Sequence, residues 1–188
     1  MRIHACVYPL VLALGALLPA PARAQHGELQ LGLAVSHGSA AAFGAGVGPV
    51  AGISLGRLVY VGVRWLHQRG STTWVGEPEE LPTPVRTRAQ LFAADFGVVI
   101  PVRGVELVPG ASVGVARIVQ RGWDGFRANE LVVAPGIAAH VYVAGLVLIP
   151  ELQYGITGRP SAAPAFENRG SLASFRVAVP IELGRIRQ

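Results

Sequence analysis

The sequence predicts an all-β fold, an eight-stranded antiparallel up-and-down transmembrane β-barrel. Apolar and polar residues alternate with period two in eight segments, as they do in strands that have two different faces. Short and long connections alternate between these segments, which is typical of a barrel with turns at one end and loops at the other. One face of every segment is apolar, and the other carries the charges and many glycines. Together these three observations predict a barrel with an apolar outside and a polar inside.

Residues 1–24 have the order of a secretory signal peptide. A basic start is followed by an apolar run at 7–18 and by a small-residue cleavage pattern that ends at Ala24. The run is too short to cross a bilayer as a helix, so we expect cleavage after Ala24 and a barrel domain over residues 25–188. Cys6, the only cysteine, lies in the leader. The mature chain is therefore expected to have no disulfide and no thiolate metal site.

Eight segments follow the period-two pattern and are rich in Val, Ile, Leu and aromatic residues. In chain order, strands are expected at 27–36, 47–56, 58–68, 87–100, 105–118, 130–143, 146–157 and 173–184. The tight connections are 56–57, 102–104 and 144–145, the long ones are 37–46, 69–86 and 158–172, and 119–129 is of medium length. Proline cannot donate to a strand ladder, so we expect bulges or locally opened pairing at the prolines within strands. These are Pro109, Pro135, Pro150 and Pro180.

Each segment has one face that we expect to contact lipid. In the first four segments this face consists of Leu29, Leu31, Leu33, Val35; Pro49, Ala51, Ile53, Leu55; Val59, Val61, Val63, Trp65; and Gln90, Phe92, Ala94, Phe96, Val98. In the last four it consists of Val105, Leu107, Pro109, Ala111, Val113, Val115; Leu131, Val133, Pro135, Ile137, Ala139, Val141; Leu148, Pro150, Leu152, Tyr154, Ile156; and Phe175, Val177, Val179, Ile181, Leu183. None of these residues is charged and only Gln90 is plainly polar, as a lipid-facing surface requires.

The opposite faces are expected to line a lumen that is just wide enough for side chains. Buried charges destabilise a fold unless they are paired, so the charged residues predict a network that plugs the barrel, with His140 as a hydrogen-bonded neighbour. The predicted members are Arg64, Asp95, Glu106, Glu130, His140, Glu151, Arg176 and Glu182. An ion or small-solute path through the lumen is the alternative, although eight strands leave little open bore.

Two strand-like phrases carry a resemblance to a known family. They are Pro150-Glu151-Leu152-Gln153-Tyr154-Gly155 and Pro180-Ile181-Glu182-Leu183-Gly184. With the eight-strand pattern, the chain resembles the small eight-stranded outer-membrane β-barrel superfamily, of the OmpA transmembrane domain and OmpX type, over about residues 25–186. The resemblance implies a location in a bacterial outer membrane, contact with its lipid and four loops outside the cell.

The third loop combines aromatic and guanidinium groups, which are enriched in binding hot spots. Its residues Arg121, Trp123, Phe126 and Arg127 therefore form a candidate binding group for an extracellular ligand or protein. This group agrees with a non-enzymatic structural or surface-interaction role. The interfacial belt of aromatic residues typical of membrane barrels explains the aromatic members without any ligand.

Two alternative functions stay open at this point. Ser36, His37 and His67 lie near the loop end of their strands, and a rim-located lipid-modifying acyl hydrolase would use these residue types, although a catalytic triad is recognised by geometry and not by composition. A soluble exported lipocalin-like carrier is the other alternative, because alternation alone also describes a half-buried soluble sheet.

Composition narrows the function classes further. The net charge of +5 comes from 16 arginines against 11 acidic residues, and loss of two arginines with the leader leaves 14 − 11 = +3. The arginines are scattered singly along the chain, so we expect no binding of nucleic acid, which requires a clustered basic face. Beyond residue 24 no apolar run is long enough for a membrane-spanning helix. Histidine spacing indicates no metal site, and we expect a monomer without a cofactor.

Overall fold

The computed structural model describes residues 26–39, 43–55, 58–75, 83–122, 125–160 and 168–185, with side chains described for 27–39, 43–55, 58–70, 86–122, 125–160 and 168–183. The strands are β1 (His26–Gly38), β2 (Ala45–Leu55), β3 (Val59–Val75), β4 (Thr83–Val98), β5 (Ile100–Val102), β6 (Val105–Arg121), β7 (Arg127–Val143), β8 (Leu146–Thr157) and β9 (Arg169–Arg185). The predicted leader, residues 1–24, lies outside the described residues. Within the described ranges, no helix is both long and apolar enough to cross a bilayer.

The strands form one closed antiparallel barrel. Their order is β4-β3-β2-β1-β9-β8-β7-β6-β5, and β4 also pairs with β6, which joins the two ends of the sheet. β5 continues the line of β4 beyond Val99, and both pair with β6. Counted as one interrupted strand, β4 and β5 make this an eight-stranded barrel, as the alternation predicted. Closure gives every strand two neighbours and leaves no free edge to pair with another chain.

Two of the tight connections are two-residue hairpin turns. Both central residues of each turn have positive φ, with Arg103 at 43° and Gly104 at 89° in one, and Ala144 at 49° and Gly145 at 80° in the other. This backbone matches the right-handed twist of paired strands, which is why such turns are favoured in hairpins. Glycine adopts positive φ at no steric cost, and this explains its place at the second position of both turns.

The strands extend further toward the loop end than the alternation indicated. β3, β6, β7 and β9 each contain 17 residues, whereas about 9–11 residues suffice to cross a bilayer as a tilted strand. At the turn end the predicted and observed boundaries agree to within about two residues. The barrel wall is therefore longer on the loop side than a bilayer crossing requires.

The prolines lie where a ladder is interrupted or ends. Opposite Pro109, the pairing of β6 stops at Gly97 and resumes at Ile100, and this gap separates β4 from β5. The β7–β8 ladder has no pairs at Pro135 and Pro150. The last β8–β9 pair is Val147 with Ala178, so Pro180 lies beyond that ladder. Each of these prolines is paired in the ladder on one side and lies in a gap or beyond the end of the ladder on the other.

The outer surface of the barrel is apolar over the predicted lipid-facing set. Leu33 and Phe92 are each 63% exposed and Leu131 is 61% exposed, and the other large outward side chains of that set are exposed or half-buried. Exposed apolar side chains that occur on all eight strands of a barrel are rare on soluble monomers. The closure of this apolar surface around the barrel fits the hydrocarbon layer of a membrane.

Candidate functional site

The barrel interior contains a compact layer of four charged side chains. Arg64 of β3, Asp95 of β4, Glu151 of β8 and Arg176 of β9 all occupy inward positions at this level, and their side chains are nearly inaccessible to solvent. The alternation of each strand turns these side chains inward, and closure brings together strands that are far apart in the sequence. We call these four residues the charge square.

Arg64 bridges both carboxylates of the charge square. Its Nε donates to the two oxygens of Asp95 at 2.9 Å and 3.0 Å, while its Nη1 and Nη2 donate to the two oxygens of Glu151 at 2.9 Å and 2.8 Å. The rigid guanidinium fork suits such bidentate contacts. Two edges of the Arg64 guanidinium are thereby hydrogen-bonded to carboxylates inside the barrel.

Arg176 is the second cation of the charge square and contacts the same two carboxylates as Arg64. It donates to Asp95 at 3.3 Å and to Glu151 at 3.0 Å, and it also donates to the Tyr60 hydroxyl at 3.0 Å. Its guanidinium carbon lies 5.7 Å from the centre of the Tyr60 ring, a cation–π contact. Two cations and two anions therefore give the layer no net charge.

Neutral side chains satisfy the remaining acceptors of the carboxylates. Ser112 donates to Asp95 at 2.6 Å, Ser174 donates to Glu151 at 2.6 Å, and Gln153 donates to Ser112 at 2.6 Å. A buried ion pair is tolerated only with such additional hydrogen bonds. The cavity that remains among these side chains measures about 20 Å³, which is close to the space that one water molecule needs.

The other predicted members of the charge network lie elsewhere. Glu106 and His140 are at the turn end, where His140 Nδ1 lies 3.9 Å from the Glu106 carboxylate. The Tyr142 hydroxyl, which the sequence did not single out, lies 3.1 Å from Glu106 and 3.2 Å from Glu28. Glu182 is exposed, and it lies directly opposite Glu28 in the register of β1 and β9. These residues form a separate group nearer the tight turns, which we call the acidic mouth.

Glu130 is also separate from the charge square. It occupies an inward position near the loop end of β7, opposite Ala116 of β6, and its carboxylate packs against Gly158. Its part of the lumen is apolar. The eight residues predicted as one network are therefore distributed over three levels of the barrel.

The loop-side interior departs from the expected polar lumen. Beside the buried polar side chains of Ser36, Gln68 and Thr87, its inward positions hold a hydrophobic cluster of Ala34, Phe43, Val50, Leu66, Ala89, Leu91, Ala93, Ala116, Ile118, Phe126, Val132 and Leu172. A smaller cluster, with Val108, Val147 and Ile149, lies on the turn side. The prediction of a polar interior is correct for the charge square and wrong for these levels. The interior lets these apolar side chains avoid water.

The candidate residues for rim catalysis are not assembled. Ser36 is buried on the inward side of β1, whereas His37 and His67 lie on the outward sides of β1 and β3. Period two alone places Ser36 and His37 on opposite faces. In the part of the chain that the structure describes, no three or more His, Cys, Asp or Glu residues are grouped to hold a metal ion either.

The candidate binding group of the third loop is divided between two faces. Arg121 ends β6 and Arg127 begins β7, and both are exposed on the outer wall. Phe126 turns inward and joins the hydrophobic cluster of the loop-side interior. Trp123 lies outside the described residues.

The structure collects arginines that the sequence presents as scattered. Outward positions on adjacent strands hold Arg69 (β3), Arg86 and Arg88 (β4), Arg117 and Arg121 (β6) and Arg127 (β7), and all six are exposed. We call these six residues the arginine band. Sequence reasoning missed it because its members are up to 58 residues apart (127 − 69). The sequence pattern could have revealed it, because all six arginines fall on the outward face when the period-two alternation is continued from the strands into the loops.

Comparisons with known proteins identify the fold and nothing finer. No family model matches the chain, and no curated protein matches it in sequence. The structure is similar to that of a major outer membrane protein from Thermus thermophilus, with a TM-score of 0.61, 11% identity and coverage of 81% of this chain and 99% of that chain. It is also similar to Neisserial surface protein A, with a TM-score of 0.50, 16% identity and coverage of 81% of this chain and 96% of that chain. The fold is therefore that of the small eight-stranded outer-membrane barrels, as the sequence predicted.

Proposed function

We propose that the chain is an exported protein of a bacterial outer membrane, a non-enzymatic monomer with a structural or surface-interaction role. The observation that carries this proposal is the combination of an exposed apolar band outside with a neutralised charge square inside. A soluble carrier would have the reverse arrangement, because its apolar face would be its core. Lipid is the environment in which the observed arrangement is stable.

The proposed leader and topology support the same location. Cleavage after Ala24 would release a chain in which residues 25–188 form the barrel domain. The tight turns would then face the periplasm, and the four longer connections would face the outside. The extended loop-side walls of β3, β6 and β7 would carry those connections above the lipid surface.

We further propose that the lumen is closed to solutes. Arg64 spans the interior between β4 and β8, and the cavity beside it has room for about one water molecule. The hydrophobic cluster lies on its loop side, where the buried Ser36 and Gln68 offer a hydrated ion few polar partners. Anchoring, with presentation of the outer surface, is thus the role that the interior favours over conduction.

Cell fractionation tests the location. The protein is expected in the detergent-extracted outer-membrane fraction, with an N-terminus at Gln25 by mass spectrometry, and its folded form should migrate anomalously on a gel until it is boiled. Release into the soluble fraction without detergent would support a carrier and refute the proposal.

Planar bilayer recording tests the closed lumen. Purified protein should add no conductance steps to the bare bilayer, because the charge square and the hydrophobic cluster both obstruct the bore. Discrete steps that persist after repurification would show an open path. The conductance of the variant Leu66→Ser should be compared with that of the unmodified protein. This substitution places a hydroxyl in the hydrophobic cluster without changing the charge square.

A further inference from the structure

We propose that the arginine band binds the phosphate groups of phosphorylated glycolipids in the outer leaflet of the membrane. The proposal rests on the proposed outer-membrane location. Its first support is the height of the band on the outer wall. Trp65 and Phe92 stack with ring centres 5.8 Å apart, and their row continues through Val115 and Leu131 of the neighbouring strands. Such aromatic rows mark the boundary between hydrocarbon and headgroups in membrane barrels.

The arginine band begins immediately above this aromatic row. The next outward row, two residues further along each strand or roughly 7 Å, consists of His67, Gln90, Arg117 and Asn129. The row above it consists of Arg69, Arg88, Val119 and Arg127, and Arg86 pairs with Arg121 above that. The band therefore lies on the loop side of the aromatic row, where the proposed location would put lipid headgroups and their phosphates.

The second support is the lack of compensating charge within the described part of the protein. Two pairs of arginines are direct cross-strand neighbours, Arg69 with Arg88 and Arg86 with Arg121. Like charges directly opposite each other destabilise a sheet. No carboxylate in the described residues forms a salt bridge with any of the six arginines. An anion from outside the protein would remove the repulsion that the band otherwise carries.

The third support is the shape of the surface. Five of the six arginines, together with His67 and Gln90, line a groove of about 330 Å³. A second recess of about 230 Å³, lined by Arg117, Arg127 and Asn129, adjoins it. Guanidinium groups bind phosphate oxygens bidentately, and the two recesses share Arg117 and Arg127. The surface can thus hold two phosphates of one headgroup, with amide groups beside them for its sugar hydroxyls.

The fourth support is that the band is one-sided. The loop-side outward positions of β1, β2 and β9 carry mainly small or apolar residues, namely Val35, His37, Ala45, Val47, Ser171 and Ala173, with Arg169 as the single arginine among the described residues there. A general need for solubility would distribute charge around the whole rim. Concentration on β3, β4, β6 and β7 indicates a site for one ligand.

Binding to diphosphoryl lipid A in detergent micelles tests the proposal directly. The variant Arg88→Gln/Arg117→Gln/Arg127→Gln removes three charges from the band, and Arg103→Gln/Arg159→Gln/Arg169→Gln removes three exposed charges elsewhere. An arginine near an anionic lipid surface contributes about fivefold in affinity, so the band variant should bind roughly 100-fold more weakly. The control variant should remain within about threefold of the unmodified protein, as measured by native mass spectrometry of the folded monomer.

Further arms identify the source of the phosphate. Dephosphorylated lipid A should bind as weakly to the unmodified protein as the phosphorylated form binds to the band variant. Inorganic phosphate at an equal phosphate concentration should not displace the lipid, and equal displacement would indicate a free-anion site and overturn the proposal. A soluble sulfated polysaccharide that binds as tightly as the lipid would also overturn it.

Folding and location are controlled separately. Each variant should keep its heat-modifiable migration, because all six substituted side chains are exposed and only Arg159 makes a side-chain hydrogen bond in the described structure, a 3.4 Å contact to Asn168. Replacement of the three band residues by lysine should give an intermediate loss, since charge is kept while the bidentate geometry is not. An equal loss in the band and control variants would refute the site. Absence from the outer membrane in cells would refute the proposed function instead, since lipid binding is measured on purified protein.

Discussion

The polar and apolar faces of the barrel wall exchange sides between the turn end and the loop end. Below the Trp65–Phe92 row, the outside is apolar and the inside holds the charge square. Above that row, the outside of β3, β4, β6 and β7 carries the arginine band and the inside holds the hydrophobic cluster. One continuous strand, β3, shows the change, since outward Val63 gives way to Arg69 while inward Arg64 gives way to Leu66. The difference teaches that the surrounding solvent, and not the fold, decides which face of a strand is apolar.

The arginines of the two regions differ in burial and in whether the protein supplies a carboxylate partner. Arg64 and Arg176 are enclosed, and each has two carboxylate partners within the barrel. The six arginines of the band are exposed and need no internal partner. A buried guanidinium must be neutralised by the protein itself, whereas an exposed one is available to an external anion.

The largest expected effect is that of breaking the charge square. Arg64→Met leaves two carboxylates with one cation in the interior, and removal of one partner from a buried pair costs about 3–5 kcal/mol. The loss is to be measured by urea unfolding of protein folded into lipid vesicles. The double variant Arg64→Met/Asp95→Asn restores neutrality and should recover most of the stability. Equal destabilisation in both variants would show that packing, not charge balance, dominates this layer.

The polarity of the loop-side end can be tested with one residue type on two faces. Leu66→Ala creates a cavity in the interior cluster and should cost about 2–5 kcal/mol. Leu33→Ala, on the outward face, should cost less than about 1 kcal/mol, because lipid tails fill the space that the side chain leaves. Unfolding in vesicles measures both. Similar losses would contradict the assignment of Leu33 to lipid and Leu66 to a protein core.

A new arginine can locate the boundary between the two regions. Val113→Arg places a charge within the apolar band and should cost about 2–4 kcal/mol, while Val47→Arg, in the strand row of His67, should cost about 0–1 kcal/mol. The two variants have the same chemistry and both sites are exposed, so unfolding in vesicles compares them directly. If Val47→Arg were as destabilising as Val113→Arg, the hydrocarbon would extend above the Trp65–Phe92 row.

The smallest effect is expected at the acidic mouth. Tyr142→Phe removes the hydroxyl that lies between Glu28 and Glu106. The site is exposed to water, so the lost hydrogen bond should change the unfolding free energy by at most about 1 kcal/mol. A loss as large as that of Arg64→Met would show that the mouth and the charge square act as one unit.

Sequence reasoning succeeded where local alternation was sufficient. The eight strands, the tight turns at 102–104 and 144–145, and outward residues such as Leu31, Val113 and Ile181 are in the expected places. It was incomplete where an environment changes along a strand. Period two assigns residues to faces, but it does not say where lipid ends. Phe126 illustrates this limit, because it was assigned to a binding loop and lies in the interior cluster.

The sequence by itself determined the number of strand segments and the parity of every strand, because both depend on residues close together in the chain. Only the tertiary structure decided which charges meet. Arg64 and Glu151 are 87 residues apart and become neighbours through barrel closure, and the arginine band exists only when four strands adopt one register. Parity is a local property of the backbone, whereas register and closure are properties of the whole sheet.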